Sequence, residues 1–409
     1  MNTLESILLA IDSIRVNKLR ASLTLLSIAI GVFAIVGAGS LAGSINETVT
    51  GEMAELGENS FQFKRMPSIQ MGDTWRKYRS RKPLNYSQYE ELRKNITLTD
   101  MVSAASTAGA NTIRYDIYET DPDVNLVGAE DMYFRTNNID LETGRAFTNM
   151  DIEFNRKIAI IGNDIVVDLF PNQSPIGKEI KIKNQQYTVI GVLTTKGALL
   201  GQSQDNQVIV PITQFLKYHA NRWDESLNIH VRAISKEALS ATIDEAIGIM
   251  RTVRNIKPWE ENSFELETNE SISEQFAGLT GFLSIFGIIS GAFALIAAGV
   301  GIMNIMLVSV KERTKEIGVR KAVGAKKFWI LLQFIIETVT LCQIGGLIGI
   351  LFGVGASWLF GMAFNVTLDL PVVWIIASIV ICTVLGLISG AYPAWKAAGL
   401  DPIDALRYE

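Results

Sequence analysis

Four stretches of this 409-residue chain are long, apolar and almost free of charge. No Asp, Glu, Lys or Arg occurs from Ala21 to Asn46, Phe276 to Val310 or Val372 to Trp395, and Phe328 to Val366 contains only Glu337. About 20 apolar residues in a helix cross the hydrocarbon core of a bilayer. The sequence therefore predicts transmembrane helices near 22–44, 283–309, 329–360 and 373–392. Buried helices of a soluble protein are the competing reading, and charge-free runs of this length disfavour it.

Orientation follows from basic residues beside the spans. The stretch 311–327 carries Lys311, Arg313, Lys315, Arg320, Lys321, Lys326 and Lys327, whereas 361–371 carries none. The positive-inside rule puts 311–327 in the cytoplasm and 361–371 outside. Arg15, Lys18 and Arg20 place the N-terminus inside, and an even number of spans returns the C-terminus to that side. Residues 46–275 then form a large external insert. Residues 37–44 would suit a signal-peptide cleavage point, but the apolar run from Ala21 exceeds a typical h-region, so it reads as an anchor. Ahead of it, Leu4, Ile7, Leu8, Ile11 and Ile14 keep helical spacing, either along the inner interface or as an ordinary packed helix end in residues 1–21.

The insert holds 25 basic and 33 acidic side chains, a net charge of −8. With −5 for the whole chain, no basic footprint for nucleic acid exists. The local exception is WRKYRSRK, 75–82, either a solvated loop or a contact for lipid phosphate or an acidic partner. A capping box from Ser87 to Glu90 marks a short helix after the strand-like FQFKR. LNIHVRA (227–233) alternates like a strand, a helix follows over 236–254 with Leu239, Ile243, Ala246, Met250 and Val253 on one face, and FELET (264–268) reads as a strand. IAIIG (158–162), KEIKI (178–182), YTVIGVL (187–193) and VIVP (208–211) are short strands. The expected fold is a membrane protein of four transmembrane α-helices with a large α+β extracytoplasmic domain between the first and second. Within that domain a β-rich part, 126–211, is inserted into an α/β part, 45–125 and 212–275. The uncharged run 276–310 would make a helix of about 52 Å, longer than the bilayer core of about 30 Å, so a stalk or a tilt is expected at 276–310.

Catalytic chemistry is not visible. Cys342 and Cys382 lie in apolar runs, His219 and His230 are isolated, and no metal set, P-loop or nucleophile elbow occurs. Any energy for work comes from another chain. Glu337 is the one ionisable residue inside a span, either on a transport path or in a structural or coupling role; its position one helix stretch from Lys327 favours the second. Small residues recur at i and i+4 as Gly39/Gly43, Gly287/Gly291, Gly345/Gly349/Gly353 and Gly386/Gly390, a spacing that lets helix backbones approach and dimerise. In the 311–327 loop, Glu312, Arg313, Glu316, Ile317, Arg320 and Lys321 fall on neighbouring helical turns, with Glu316 and Arg320 in the favourable i,i+4 order. Val323, Gly324 and Ala325 make a small, flexible ending.

NIMLVSVKERTKEIGVRKAVGA, 304–325, closely resembles the signature of MacB and FtsX type ABC transporter permeases. NKLRASLTLLSIAIG (17–31) is similar to the family's entry into the first span, AYPAWKAAGLDPIDALRYE (391–409) to its C-terminal tail, and residues 144–193 to the MacB-type periplasmic domain. The resemblance implies a four-span bacterial inner-membrane permease that dimerises with itself or a related permease and has porter and sabre parts in its ectodomain. It implies a cytoplasmic ATPase subunit coupled through Glu312, Arg313, Glu316, Ile317, Arg320, Lys321, Gly324 and Ala325, so that ATP and magnesium act on that partner and this chain binds no cofactor. It also implies a MacA-like periplasmic adaptor and, in some systems, an outer-membrane channel. MacB carries its ATPase ahead of the membrane part, so a sequence beginning just before the first span resembles the split members. The expected function is export of a peptide, drug or lipid-linked cargo through ATP-driven ectodomain motion; the alternative is an FtsX-like regulator of a cell-wall hydrolase or a peptide signal.

Overall fold

The computed structural model describes residues 18–55, 59–68, 78, 80–171, 173–199, 201–220, 226–364 and 371–406. Residues 1–17 of the helix expected in 1–21, residues 75–77 and 79 of the basic stretch 75–82, and residues 365–370 of the external loop lie outside the described residues. These form two compact units, one within Met1–Asn46 and Gly278–Glu409, the other within Glu47–Ala277.

Helix α1 (Lys18–Glu55) comes first. Then follow β1 (Ser60–Lys64), α2 (Tyr86–Asn95), β2 (Val102–Asn111), β3 (Ile113–Tyr115), β4 (Tyr118–Glu119), β5 (Val124–Ala129) and β6 (Leu141–Gly144). The chain continues through β7 (Ile158–Ile161), β8 (Glu179–Ile182), β9 (Gln185–Leu193), the ribbon β10 (Ala198–Leu199) with β11 (Gln202–Ser203), and β12 (Gln207–Pro211). Next are β13 (Asn228–Arg232), α3 (Leu239–Val253) and β14 (Glu265–Thr268). The last elements are α4 (Asn269–Glu312), α5 (Thr314–Ala322), α6 (Lys327–Phe364), α7 (Val372–Gly399) and a turn of helix at Pro402–Leu406.

The second unit is built on one mixed sheet in the order β14-β1-β13-β2-β5-β12-β7-β9-β8-β3-β4, with β6 also paired to β9. The strand pairs β5/β12 and β7/β9 are parallel. Outer strands alternate: Phe61 and Phe63 of β1, and Ile229 and Val231 of β13, point inward. Central strands are apolar throughout because both faces are covered. In β7, Ile158 and Ile160 join a core with Ile209, Phe63, Leu92 and Met250, while Ala159 and Ile161 join another with Val208, Val210, Ile180 and Phe215. The first core is closed by α2 and α3, where Leu92, Ala246 and Met250 are buried.

Helix α2 starts two residues earlier than its sequence suggests. Asn85, not Ser87, is the N-cap, and the Asn85 N–H donates to Gln88 Oε1 at 3.4 Å. Asparagine is as good a cap as serine, so the earlier of two competent residues takes the role. The strands expected at 158–162, 178–182, 187–193, 208–211, 227–233 and 264–268 are all present within two residues. Strands β2 to β5 carry no comparable pattern in the sequence.

Glu130 follows β5 and is buried, accepting a hydrogen bond from Tyr86 Oη at 2.7 Å. Arg93, which donates to Tyr89 Oη at 2.8 Å, lies 4.0 Å away. Burial pushes the Glu130 carboxyl up to about 7 from 4.5; the Tyr86 bond and Arg93 work against the rise, and neighbouring Asp131 adds to it. Below pH 4.5 the group is neutral in folded and unfolded chain alike. Between 4.5 and 7 only the unfolded chain ionises readily, so stability is lost as pH rises through that window. The sheet unit should lose about 3 kcal/mol between pH 4.5 and 7.5 through this group. Denaturant titrations should show that loss relative to Glu130→Gln, and parallel pH profiles for the two proteins would refute it. Comparison with the variant removes His219 and His230, whose lowered values of about 4 and 3 act in the opposite direction.

In the first unit four helices are long and apolar enough to cross a membrane, α1, α4, α6 and α7. Helix α4 is unbroken for 44 residues, about 66 Å. Helix α7 continues past the expected end of its span, through buried Pro393, to Gly399. The glycines make their close approaches inside the chain. A Cβ on Gly287 or Gly291 would lie 2.3 Å from Ala38 Cβ or 2.5 Å from Ile35 Cγ1 of α1, and one on Gly349 would lie 2.6 Å from the Ala29 carbonyl oxygen. Gly345 and Gly353 seat Ile28 and Val36, Gly386 and Gly390 seat Val339 and Thr338, and Gly39 faces Trp374. Gly43 has nothing within 4 Å. These seams, whose spacing is expected to let helix backbones approach and dimerise, seat neighbouring helices of the same chain, apart from Gly43. Gly349→Ala should destabilise the detergent-solubilised chain by about 1–3 kcal/mol through overpacking. Scanning fluorimetry should show a lower Tm for it and no fall for Gly43→Ala.

Candidate functional site on the basic helix

The residues that sequence spacing groups at 311–327 fold into α5 and the turns at its ends. Helix α4 stops at Glu312, and Thr314 Oγ1 donates back to the Val310 and Lys311 carbonyls at 3.0 and 2.8 Å, closing that end. Arg313 is the N-cap residue of α5. At its other end Gly324 adopts φ +98°, where the Gly324 N–H meets the Lys321 carbonyl and the Ala325 N–H meets that of Arg320. This is a Schellman stop, which glycine allows because it has no Cβ. The Val323–Ala325 ending, expected to be small and flexible, forms this turn.

Three basic residues hold α5 to its own unit. Arg313 Nη1 lies 3.4 Å from both carboxylate oxygens of Glu337 on α6, whose side chain is 1% exposed. Arg320 Nη1 donates to Gln333 Oε1 at 3.0 Å, also on α6, while its Nη2 pairs with Glu316. Lys321 Nζ donates to the Ala398 and Leu400 carbonyls at 2.6 Å each, at the end of α7. Burial lowers the Lys321 ammonium from its ordinary value. Ile317 is 2% exposed and belongs to the core of the four-helix unit.

The sequence grouping thus separates into an inner and an outer set. Arg313, Ile317, Arg320 and Lys321 turn inward, and Glu312 and Glu316 remain exposed with Lys315. Two residues that sequence reading missed share the outer side: Val319 is 49% exposed and Val323 85%. An apolar pair one turn apart, opposite buried Ile317, is the signal that would have found them. In the other unit, Arg81 of the basic 75–82 segment is committed internally, to Glu265 at 2.7 Å and over the Tyr78 ring at 4.6 Å. Cys342 and Cys382 are buried free thiols.

Removing Arg313 would leave a carboxylate buried with its cation gone, a change worth about 3–5 kcal/mol. Arg313→Ala should therefore lower Tm strongly, and Arg313→Met with Glu337→Met should recover most of the loss, since two apolar side chains of similar volume leave no buried charge. A double variant as unstable as the single one would show that the pair is not the source of the effect.

Comparison with known proteins supplies the family. Residues 21–249 match the MacB-like periplasmic core domain, and residues 288–402 match the FtsX-like permease C-terminal domain. The chain is 32% identical over 410 residues to YknZ of Bacillus subtilis, an uncharacterized ABC transporter permease, with the full length of both covered. It is 31% identical over 401 residues to the macrolide export ATP-binding/permease protein MacB of Bdellovibrio bacteriovorus, a match covering 97% of this chain and 61% of that one. The chain thus spans about three-fifths of the length of its MacB relatives. Among solved structures, the periplasmic region of MacB from Actinobacillus actinomycetemcomitans is similar with a TM-score of 0.44 and 16% identity, covering 54% of this chain and 94% of that one. With four spanning helices and an α+β domain between the first and second, the chain belongs to the MacB-like and FtsX-like family of ABC transporter permeases.

Proposed function

We propose that this permease converts ATP hydrolysis on a separate ATPase subunit into motion of its external domain, which exports or extrudes a peptide, drug or lipid-linked cargo from the cell envelope. The supporting observation is the way α5 is held. Arg313 and Arg320 tie it to α6 and Lys321 ties it to α7, while Val319, Val323, Lys315 and Glu316 stay exposed on its outer side. A force applied to that side reaches two membrane helices through three charged or polar contacts. Helices α1 and α4, at 38 and 44 residues, lead out of the membrane and back. In this reading the basic end of α6 and both termini are cytoplasmic, a second permease copy completes the assembly, and a MacA-like adaptor, with or without an outer-membrane channel, receives the cargo outside.

The MacB relative joins ATP-binding and permease functions under one name, which favours an ATPase partner here. The test is co-purification of the full chain from membranes, followed by ATP-dependent transport in vesicles with the recovered ATPase. Glu316→Ala with Arg320→Ala, and separately Val319→Asp with Val323→Asp, should reduce ATPase recovery or coupled transport at least tenfold. Unchanged coupling in both variants would sink the assignment of α5.

A further inference from the structure

A cleft of about 470 Å³ opens between the start of α6 and the end of α7. It is lined by exposed Lys327, Phe328, Trp395 and Lys396 and by half-buried Leu331 and Leu400. Both lysines are exposed, and the aromatic side chains are 64% and 69% exposed, large values for rings of this size. Trp329, beside them, is 61% exposed and packs edge-on against Phe328, with 5.9 Å between ring centres. Behind one wall, Lys321 occupies the Ala398 and Leu400 carbonyls, so those acceptors are not turned toward an anion. Among the described residues, no acidic side chain lines the cleft. The adjacent Asp401 is engaged in accepting from the Ile403 N–H at 2.9 Å.

We infer that this cleft binds the phosphodiester headgroup of an anionic membrane lipid, with the lysines on the phosphate and the first acyl carbons along Phe328 and Leu331. The chemistry of the walls selects that occupant. Tryptophan and phenylalanine next to lysine at the end of an apolar spanning helix is the composition of a membrane–water boundary, and a basic pocket between such helices suits a lipid phosphate. A free anion would use the lysines but not the apolar lining. A zwitterionic lipid would use that lining but would bring its own cation to the lysines. The described residues that line it come from the start of α6 and the end of α7, not from the outer side of α5.

Native mass spectrometry of the full chain in detergent tests this, with phosphatidylglycerol and phosphatidylcholine added at equal concentration. Wild-type protein should retain one phosphatidylglycerol in preference to phosphatidylcholine. Lys327→Ala and Lys396→Ala should each weaken retention about fivefold, and the double variant about 25-fold, the ratio expected for a lysine near an anionic surface. Lys327→Arg with Lys396→Arg should restore it, which separates loss of charge from loss of fold. Equal retention of both lipids, or undiminished phosphatidylglycerol on the double alanine variant, would overturn the inference. Displacement of the lipid by millimolar inorganic phosphate would assign the cleft to the free anion and overturn it as well. A photocrosslinker replacing Trp395 that captures an ATPase subunit and no lipid would make the cleft a protein interface, with the same consequence.

Discussion

A carboxylate with 1% of its side chain exposed, on a helix long and apolar enough to span a membrane, requires a cation within reach, and Glu337 receives Arg313. That requirement fixes more than one ion pair. Arg313 stands at the break between α4 and α5, so the guanidinium can meet Glu337 only if the chain turns there and lays α5 beside α6. Thr314 closes the end of α4 at the same break, and Ile317 then falls into the core. With the inner side of α5 defined in this way, Val319 and Val323 are forced outward.

The glycine seams are the second constraint on the four-helix unit. In lipid there is no hydrophobic gain in bringing apolar helices together, so their association depends on close packing. Gly287 and Gly291 admit α1 to α4, and Gly345, Gly349 and Gly353 admit it to α6. Helix α1 is thus gripped from two sides by backbones that carry no side chain at the contact. The exposed row Leu19, Leu23, Leu26 and Ile30 on α1 belongs to the face that these seams leave uncovered.

The membrane spans were legible because absence of charge over 20 or more residues is a strong signal that needs no partner to interpret. Strands such as β13 were legible through alternation, and α3 through its 3.6-residue spacing. Strand β2, VSAASTAGAN, was not: its residues are small, and it is recognised only by the neighbours β13 and β5 that pair with it. The spacing of charges marks a helix where Thr314–Ala322 forms one, yet it does not distinguish the two sides of that helix. Charged residues at i, i+3 and i+4 mark a helix but do not say which of them turns inward, and the answer rests on Glu337 and Gln333, which are distant in sequence. Glycine spacing likewise marks a close contact without saying whether the other helix belongs to the same chain.

The central strands of the external domain carry a consequence of their own. Successive residues of β7 and β12 are assigned to different cores, Ile160 and Ile209 to one, Ile161 and Val208 to the other. Insertion or deletion of a single residue in either strand would exchange every side chain between the two cores at once. Hairpins at the sheet's margin, such as β3 with β4, face no such exchange. Length variation during divergence should therefore collect in the connections and at the margin, while β7 and β12 keep their length even where their residues change.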